Sequence, residues 1–206
     1  YLVPGSGINI DKFKLSKKKI KKKNLRFIFI GRLIKDKGII EYIEAAKEIK
    51  KQKKFNVTFS VIGSIDIENN SSLTQDQYLY FKKMKLLKFL GEKKNIKQYL
   101  SKADCIILPS YREGLPRVLL ESSAMSLPAI TTNVPGCREV VKDGYNGFLC
   151  KARNKNSLLN AIYKFLKLSH KKRLIMGKNS RKKAETYFNE KIVFQRYKKI
   201  IYQLKK

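Results

Sequence analysis

"CIILPSYREGLPRVLLESSAMSLPAITT" occupies residues 105–132. The run CIILPS (105–110) is apolar, short and bounded by turn residues, as a buried strand is. PRVLLESSAMS (116–126) has helical spacing, and PAITT (128–132) reads as the next strand. A strand, a glycine-bearing loop, a helix and a second strand make a parallel unit whose sheet is covered on both faces.

The same alternation extends outward. LRFIFI (25–30), FNVTFSVIG (55–63), LLKFLG (86–91) and NGFLC (146–150) read as further strands. Helices are expected over 38–51, 73–84, 95–103, 155–168, 170–187 and 190–204, with Thr74 and Gln77 spaced as a capping box. The expected fold is therefore α/β, a parallel sheet with helices on both faces. In such sheets ligands bind beyond the carboxyl ends of the strands.

With 206 residues the chain is about one ordinary domain, long enough for a sizeable core. It carries 47 basic and 16 acidic residues, a net charge of +31. That balance fits anionic partners: nucleic acid, phosphorylated ligands or an acidic membrane surface. Biased composition is the competing source, because the excess is mostly lysine accompanied by Ile, Asn, Tyr and Phe. Cys105, Cys137 and Cys150 lack CxxC spacing, which argues against a disulfide framework or a zinc site. No signal peptide and no bilayer-length apolar run is present, so the expected location is cytoplasmic. The chain opens at Tyr1, and YLVPGSGIN reads as the middle of a longer protein. The expected layout is a basic linker over 1–24, an α/β domain over 25–188, and a final helix over 189–206. Eight lysines crowd the stretch 11–24.

Two acids flank the decisive loop. Gly114 precedes Pro116, which suits a first helical turn because its missing N–H costs nothing there. The amides of Gly114, Leu115, Arg117 and Val118 and the helix dipole then converge on an anion. Glu113 lies beside that anion. Glu121 sits five residues into the helix, roughly 7–8 Å along its axis, where a carboxylate can accept two hydroxyls such as a ribose offers. The alternative is that Glu121 faces solvent and Glu113 caps the helix. A second cluster lies in FIGRLIKDKG (29–38). There Gly31, Arg32 and Lys37 follow a strand, and both cations suit phosphate oxygens.

The combination resembles the C-terminal donor-binding domain of retaining GT-B glycosyltransferases, the large family four (glycosyl transferases group 1). The marks are "GR" and "KG" at 31–38, "VIG" at 61–63, "EGLPRVLLE" at 113–121, "PAITTNVPGCREVV" at 128–141 and "DGYNGFL" at 143–149. They span essentially the whole chain. The resemblance implies a Rossmann-like half of a GT-B fold. It implies that Arg32 and Lys37 bind the donor pyrophosphate, Glu121 the ribose, and Glu113 the transferred sugar. Amides of Leu115, Arg117 and Val118 hold phosphate and sugar, and Gly63, Ser64, Gly91 and Glu92 border the base. Pro116 stands where the family often has Gly, which removes one amide contact. Glu113, Arg32 and Lys37 are the catalytic candidates, with Glu113 orienting the sugar rather than attacking it.

The implied activity is retaining transfer of a hexosyl or N-acetylhexosaminyl group from a UDP-sugar. The acceptor would be a lipid-linked oligosaccharide or surface-polysaccharide precursor of a bacterial cell. That acceptor would be held by a missing N-terminal domain, without which the chain is expected to be inactive. No metal-ligand cluster is visible, so neither a metal nor another cofactor is expected. Lysines near an anionic leaflet would hold the protein at the inner membrane face. Two alternatives remain. A basic nucleic-acid module explains the charge and leaves both glutamates idle, so nucleic acid is not the expected partner. A nucleotide-sugar 2-epimerase on the same architecture wants acids and histidines in its cleft, and His170 is the only histidine.

Overall fold

The structure is a computed structural model and describes residues 5–14 and 24–204. Six parallel strands form one sheet: β1 (Leu25–Ile30), β2 (Val57–Ile62), β3 (Lys88–Phe89), β4 (Cys105–Leu108), β5 (Ala129–Thr132) and β6 (Gly147–Cys150). Their order is β3-β2-β1-β4-β5-β6. β1 lies at the centre, with Phe27 in register with Phe59 of β2 and with Cys105 of β4. Burial on both faces explains why β4 reads as an unbroken apolar run. Phe27 stacks on Phe59 at 5.1 Å and meets Phe165 edge-on at 5.8 Å.

The helices are α1 (Ile39–Lys51), α2 (Gln75–Lys83), α3 (Lys97–Leu100), α4 (Arg117–Ala124), α5 (Pro135–Val140), α6 (Lys155–Lys167), α7 (His170–Tyr187) and α8 (Glu190–Leu204). The units β1–α1–β2 and β4–α4–β5 run in opposite directions across the sheet. Right-handed crossovers therefore put α1 and α4 on opposite faces. Accordingly α1 packs with α6, and α4 packs with α7. Tyr42 of α1 is fully buried against the sheet, and its hydroxyl donates to the Ser60 carbonyl at 3.0 Å. The expected capping box opens α2: the Gln77 amide donates to Thr74 Oγ1, and the Gln77 side chain accepts from the Thr74 amide. Cys105, Cys137 and Cys150 are all buried thiols. Burial pushes the Cys150 thiol up to about 12.

Two elements differ from expectation. β3 pairs over only Lys88 and Phe89, because it lies at the sheet edge with a partner on one side alone. α5 has no counterpart among the helices expected from the sequence, because its six residues are too few to show a helical period. Pro135 takes the first helical position, where it needs no hydrogen-bonding N–H.

Residues 5–14 dock beside the α7–α8 junction. Ile8 donates to the Phe188 carbonyl at 2.7 Å and accepts from the Glu190 amide at 3.1 Å. Arg181 Nη1 donates to the carbonyls of Ile10 (3.0 Å), Phe13 (3.1 Å) and Ala124 (2.6 Å). Residues 15–23, most of the lysine-rich stretch, lie outside the described residues. Among the described residues no helix is long and apolar enough to cross a membrane.

Candidate active site

The strand order reverses between β1 and β4, the point where an open parallel sheet leaves a crevice at its carboxyl edge. The loops leaving these two strands carry the two clusters singled out above. Their approach is enforced by backbone. Gly38 adopts φ +72°, and a Cβ there would fall on the Pro109 carbonyl. The Tyr111 amide donates to the Asp36 carbonyl at 2.8 Å, and the Tyr111 hydroxyl donates to Glu41 Oε1 at 2.6 Å. The Arg153 guanidinium lies 4.9 Å from the Tyr111 ring centre. Burial and the Glu41 carboxylate together raise the Tyr111 phenol above its usual range. Tyr111 thus clamps the β4–α4 loop to α1 and to the short 3-10 turn at Lys35–Lys37.

On the other side, α5 presses on the same loop. The Gly136 amide donates to the Glu113 carbonyl at 3.3 Å, and a Cβ at Gly136 would strike the Gly114 carbonyl. Only glycine lets α5 come so close.

The result is a cleft of about 280 Å³ whose walls include Gly31, Lys37, Glu113, Arg117, Val118 and Glu121. Lys37 Nζ donates to Glu113 Oε1 at 2.7 Å, with side-chain exposures of 24% and 9%. Glu113 is therefore turned to Lys37, and no side chain caps the N-terminus of α4, where Pro116 stands. Glu121 is buried rather than facing solvent. Burial raises its carboxyl above the usual glutamate range, opposed by a hydrogen bond from Arg117 Nε at 3.1 Å and by the charges of Arg117 and Lys12.

The remaining sequence-derived candidates, Gly63, Gly114, Leu115 and Arg32, are not among the residues that line this cleft. Gly63 packs on the Gly31 carbonyl, and its amide donates to the Gly91 carbonyl at 3.1 Å. Leu115 rests where a side chain at Gly5 would be. Gly114 is exposed at the head of α4. Arg32 is not among the lining groups; its Nη1 pairs with Asp66 Oδ2 at 2.6 Å. Asp66, Glu41, Tyr111 and Gly136 had no signal of their own in the sequence, because each matters through a neighbour distant along the chain. His170 opens α7 in an exposed position and does not line the cleft. A larger hollow of about 620 Å³ lies beside α6, lined by Gln52, Lys54, Tyr163, Lys164 and Lys167, and contains none of these acids.

Chemically, the cleft offers an ammonium, two fixed carboxylates and the amides that open α4. Such a set is suited to an anion with hydroxyl-bearing groups on either side. Residues 11–183 match the glycosyl transferases group 1 model, and the chain belongs to that family.

Among curated relatives, the chain is 30% identical to the capsular polysaccharide biosynthesis glycosyltransferase CapM of Staphylococcus aureus, over 92% of this chain and 51% of that protein. It is 31% identical to the UDP-Gal:alpha-D-GlcNAc-diphosphoundecaprenol alpha-1,3-galactosyltransferase of Escherichia coli, over 89% of this chain and 49% of that one. The chain thus spans about half the length of these relatives. Among solved structures it is similar in fold to Anabaena Alr3699/HepE in complex with UDP. The TM-score is 0.82 at 22% identity, covering 96% of this chain and 56% of that one.

Proposed function

We propose that this chain is the donor-binding half of a retaining glycosyltransferase. It takes a hexosyl or N-acetylhexosaminyl group from a UDP-sugar and passes it to a lipid-linked oligosaccharide or surface-polysaccharide precursor. A further domain holds that acceptor. The observation that carries the reading is the convergence of Lys37, Glu113, Glu121 and the head of α4 on one cleft. The named activities of the relatives, which include galactosyl transfer from UDP-Gal to a diphosphoundecaprenol-linked sugar, support the donor and acceptor classes.

Each group has a task in this reaction. Glu121 accepts the ribose hydroxyls, and the Arg117 and Val118 amides meet phosphate and sugar. Lys37 and Arg32 meet the diphosphate. Glu113, held by Lys37, accepts hydroxyls of the transferred sugar and sets its orientation. As the bond from the anomeric carbon to the phosphate oxygen breaks, its electron pair leaves with UDP and positive charge develops on the sugar. The acceptor oxygen bonds to the anomeric carbon on the same face, and its proton passes to the departing phosphate oxygen. Cations and amides placed beforehand at the diphosphate lower the barrier. They do so here without a metal ion, so EDTA leaves UDP binding unchanged. The basic surface holds the enzyme at the cytoplasmic face of an anionic membrane, at about 1 kcal/mol per lysine near the headgroups.

Calorimetric titration with UDP tests the donor site. The wild-type chain binds, and Arg32→Ala and Glu121→Ala each weaken binding at least tenfold, about 1.4 kcal/mol. Unchanged affinity in both variants rules out the site.

A further inference from the structure

Arg32 follows Gly31 directly, at the carboxyl end of β1, yet its guanidinium turns to Asp66 instead of lining the cleft. Asp66 is not a chance neighbour. Its amide donates to Ser72 Oγ at 3.0 Å, and its carbonyl accepts from the Asn69 amide at 2.9 Å. The loop that carries it is sewn onto the β1–α1 connection. Leu33 donates to the Ser64 carbonyl at 2.9 Å, Lys35 to the Ser71 carbonyl at 2.7 Å, and Leu73 to the Leu33 carbonyl at 2.9 Å. A fixed carboxylate therefore faces the side chain one residue beyond the cleft wall.

The geometry points to Asp66 as a positioning residue, an internal anion that holds the Arg32 guanidinium at the rim and yields it to the diphosphate of the donor. The inference rests on the donor-site reading above. A carboxylate presents two oxygens to the guanidinium fork, and a phosphate presents the same geometry with more charge. The Arg32 side chain is 57% exposed and that of Asp66 is 26% exposed, so their pair is weakly held and easily exchanged. Lys37 and Glu113 are more enclosed and stay together. Asp66 sets how much of the Arg32 attraction reaches the donor: it lowers affinity for the nucleoside diphosphate while keeping the guanidinium ordered nearby. That arrangement also eases release of UDP after transfer, since Arg32 has a partner to return to.

The test is a double-mutant cycle read by UDP calorimetry on the 206-residue chain. Asp66→Asn binds UDP about threefold more tightly than wild type, the size expected when an exposed competing pair is removed. In an Arg32→Gln background the same change has no measurable effect, because the competition runs through Arg32. Equal tightening in both backgrounds overturns the proposal and leaves simple repulsion between Asp66 and phosphate. Unchanged or weaker binding in Asp66→Asn also overturns it, provided that wild type binds UDP and Glu121→Ala does not. If wild type fails to bind UDP, the donor-site reading fails first and the role of Asp66 falls with it. Asp66→Ser repeats the cycle should Asp66→Asn lose its fold by circular dichroism.

Discussion

Two ion pairs of nearly equal length, whose cations lie a few residues apart in sequence, do different work. Arg32–Asp66 measures 2.6 Å at the rim, and Lys37–Glu113 measures 2.7 Å inside the cleft. The difference is solvent. At the rim, water competes for both partners and the pair contributes little. In the cleft, the Glu113 side chain is 9% exposed and that of Lys37 24%, so water competes less for the pair. Distance alone does not rank these contacts; enclosure does.

The comparison breaks most easily at its more enclosed member. Lys37→Met removes the partner of the Glu113 carboxylate and lowers stability by about 1–2 kcal/mol in urea denaturation. A smaller loss would mean that Glu113 turns to water. Next comes the clamp that brings the two loops together. Tyr111→Phe removes the donor to Glu41, whose other oxygen, Oε2, is already buried without a partner. It costs about 1–1.5 kcal/mol, and UDP affinity falls with it as the loops separate.

Glu121 sharpens the contrast through pH. Its carboxyl is raised in the folded chain, so the folded state binds the proton more tightly than the unfolded state does. The stability it contributes is fully present below the unfolded glutamate pKa and is lost as pH rises through the raised folded value. Between those two points wild type loses stability relative to Glu121→Gln, as paired urea titrations across the acid range will register. A flat difference would mean that burial does not govern this carboxyl. The smallest effect belongs to the rim: Asp66→Asn and Arg32→Met change stability by no more than about 0.5 kcal/mol. A larger loss in either would place that pair in the same class as Lys37–Glu113.

Much of the fold was legible because parallel strands buried on both faces write themselves as short apolar runs. All six strands appear where LRFIFI, FNVTFSVIG, LLKFLG, CIILPS, PAITT and NGFLC place them. α5 was not legible, because six residues are too few to show a helical period, and the close approach of Gly136 to the Gly114 carbonyl joins positions distant along the chain. The cleft was half legible. Glu113 and Glu121 share one loop-helix unit, so their spacing carries information. Lys37 joins them through the sheet. Arg32 lies one residue from the cleft wall, but its direction is set by Asp66, and nothing in the linear order announces that partner. Tyr111 likewise looked like one aromatic among many until Glu41 met it.

The sheet narrows sharply at one margin. β1 and β2 are six residues long, while β3 beside them at the edge has two. A margin of two residues offers almost no backbone for a neighbouring molecule to zip onto. A net charge of +31 acts in the same sense, because like-charged copies repel one another.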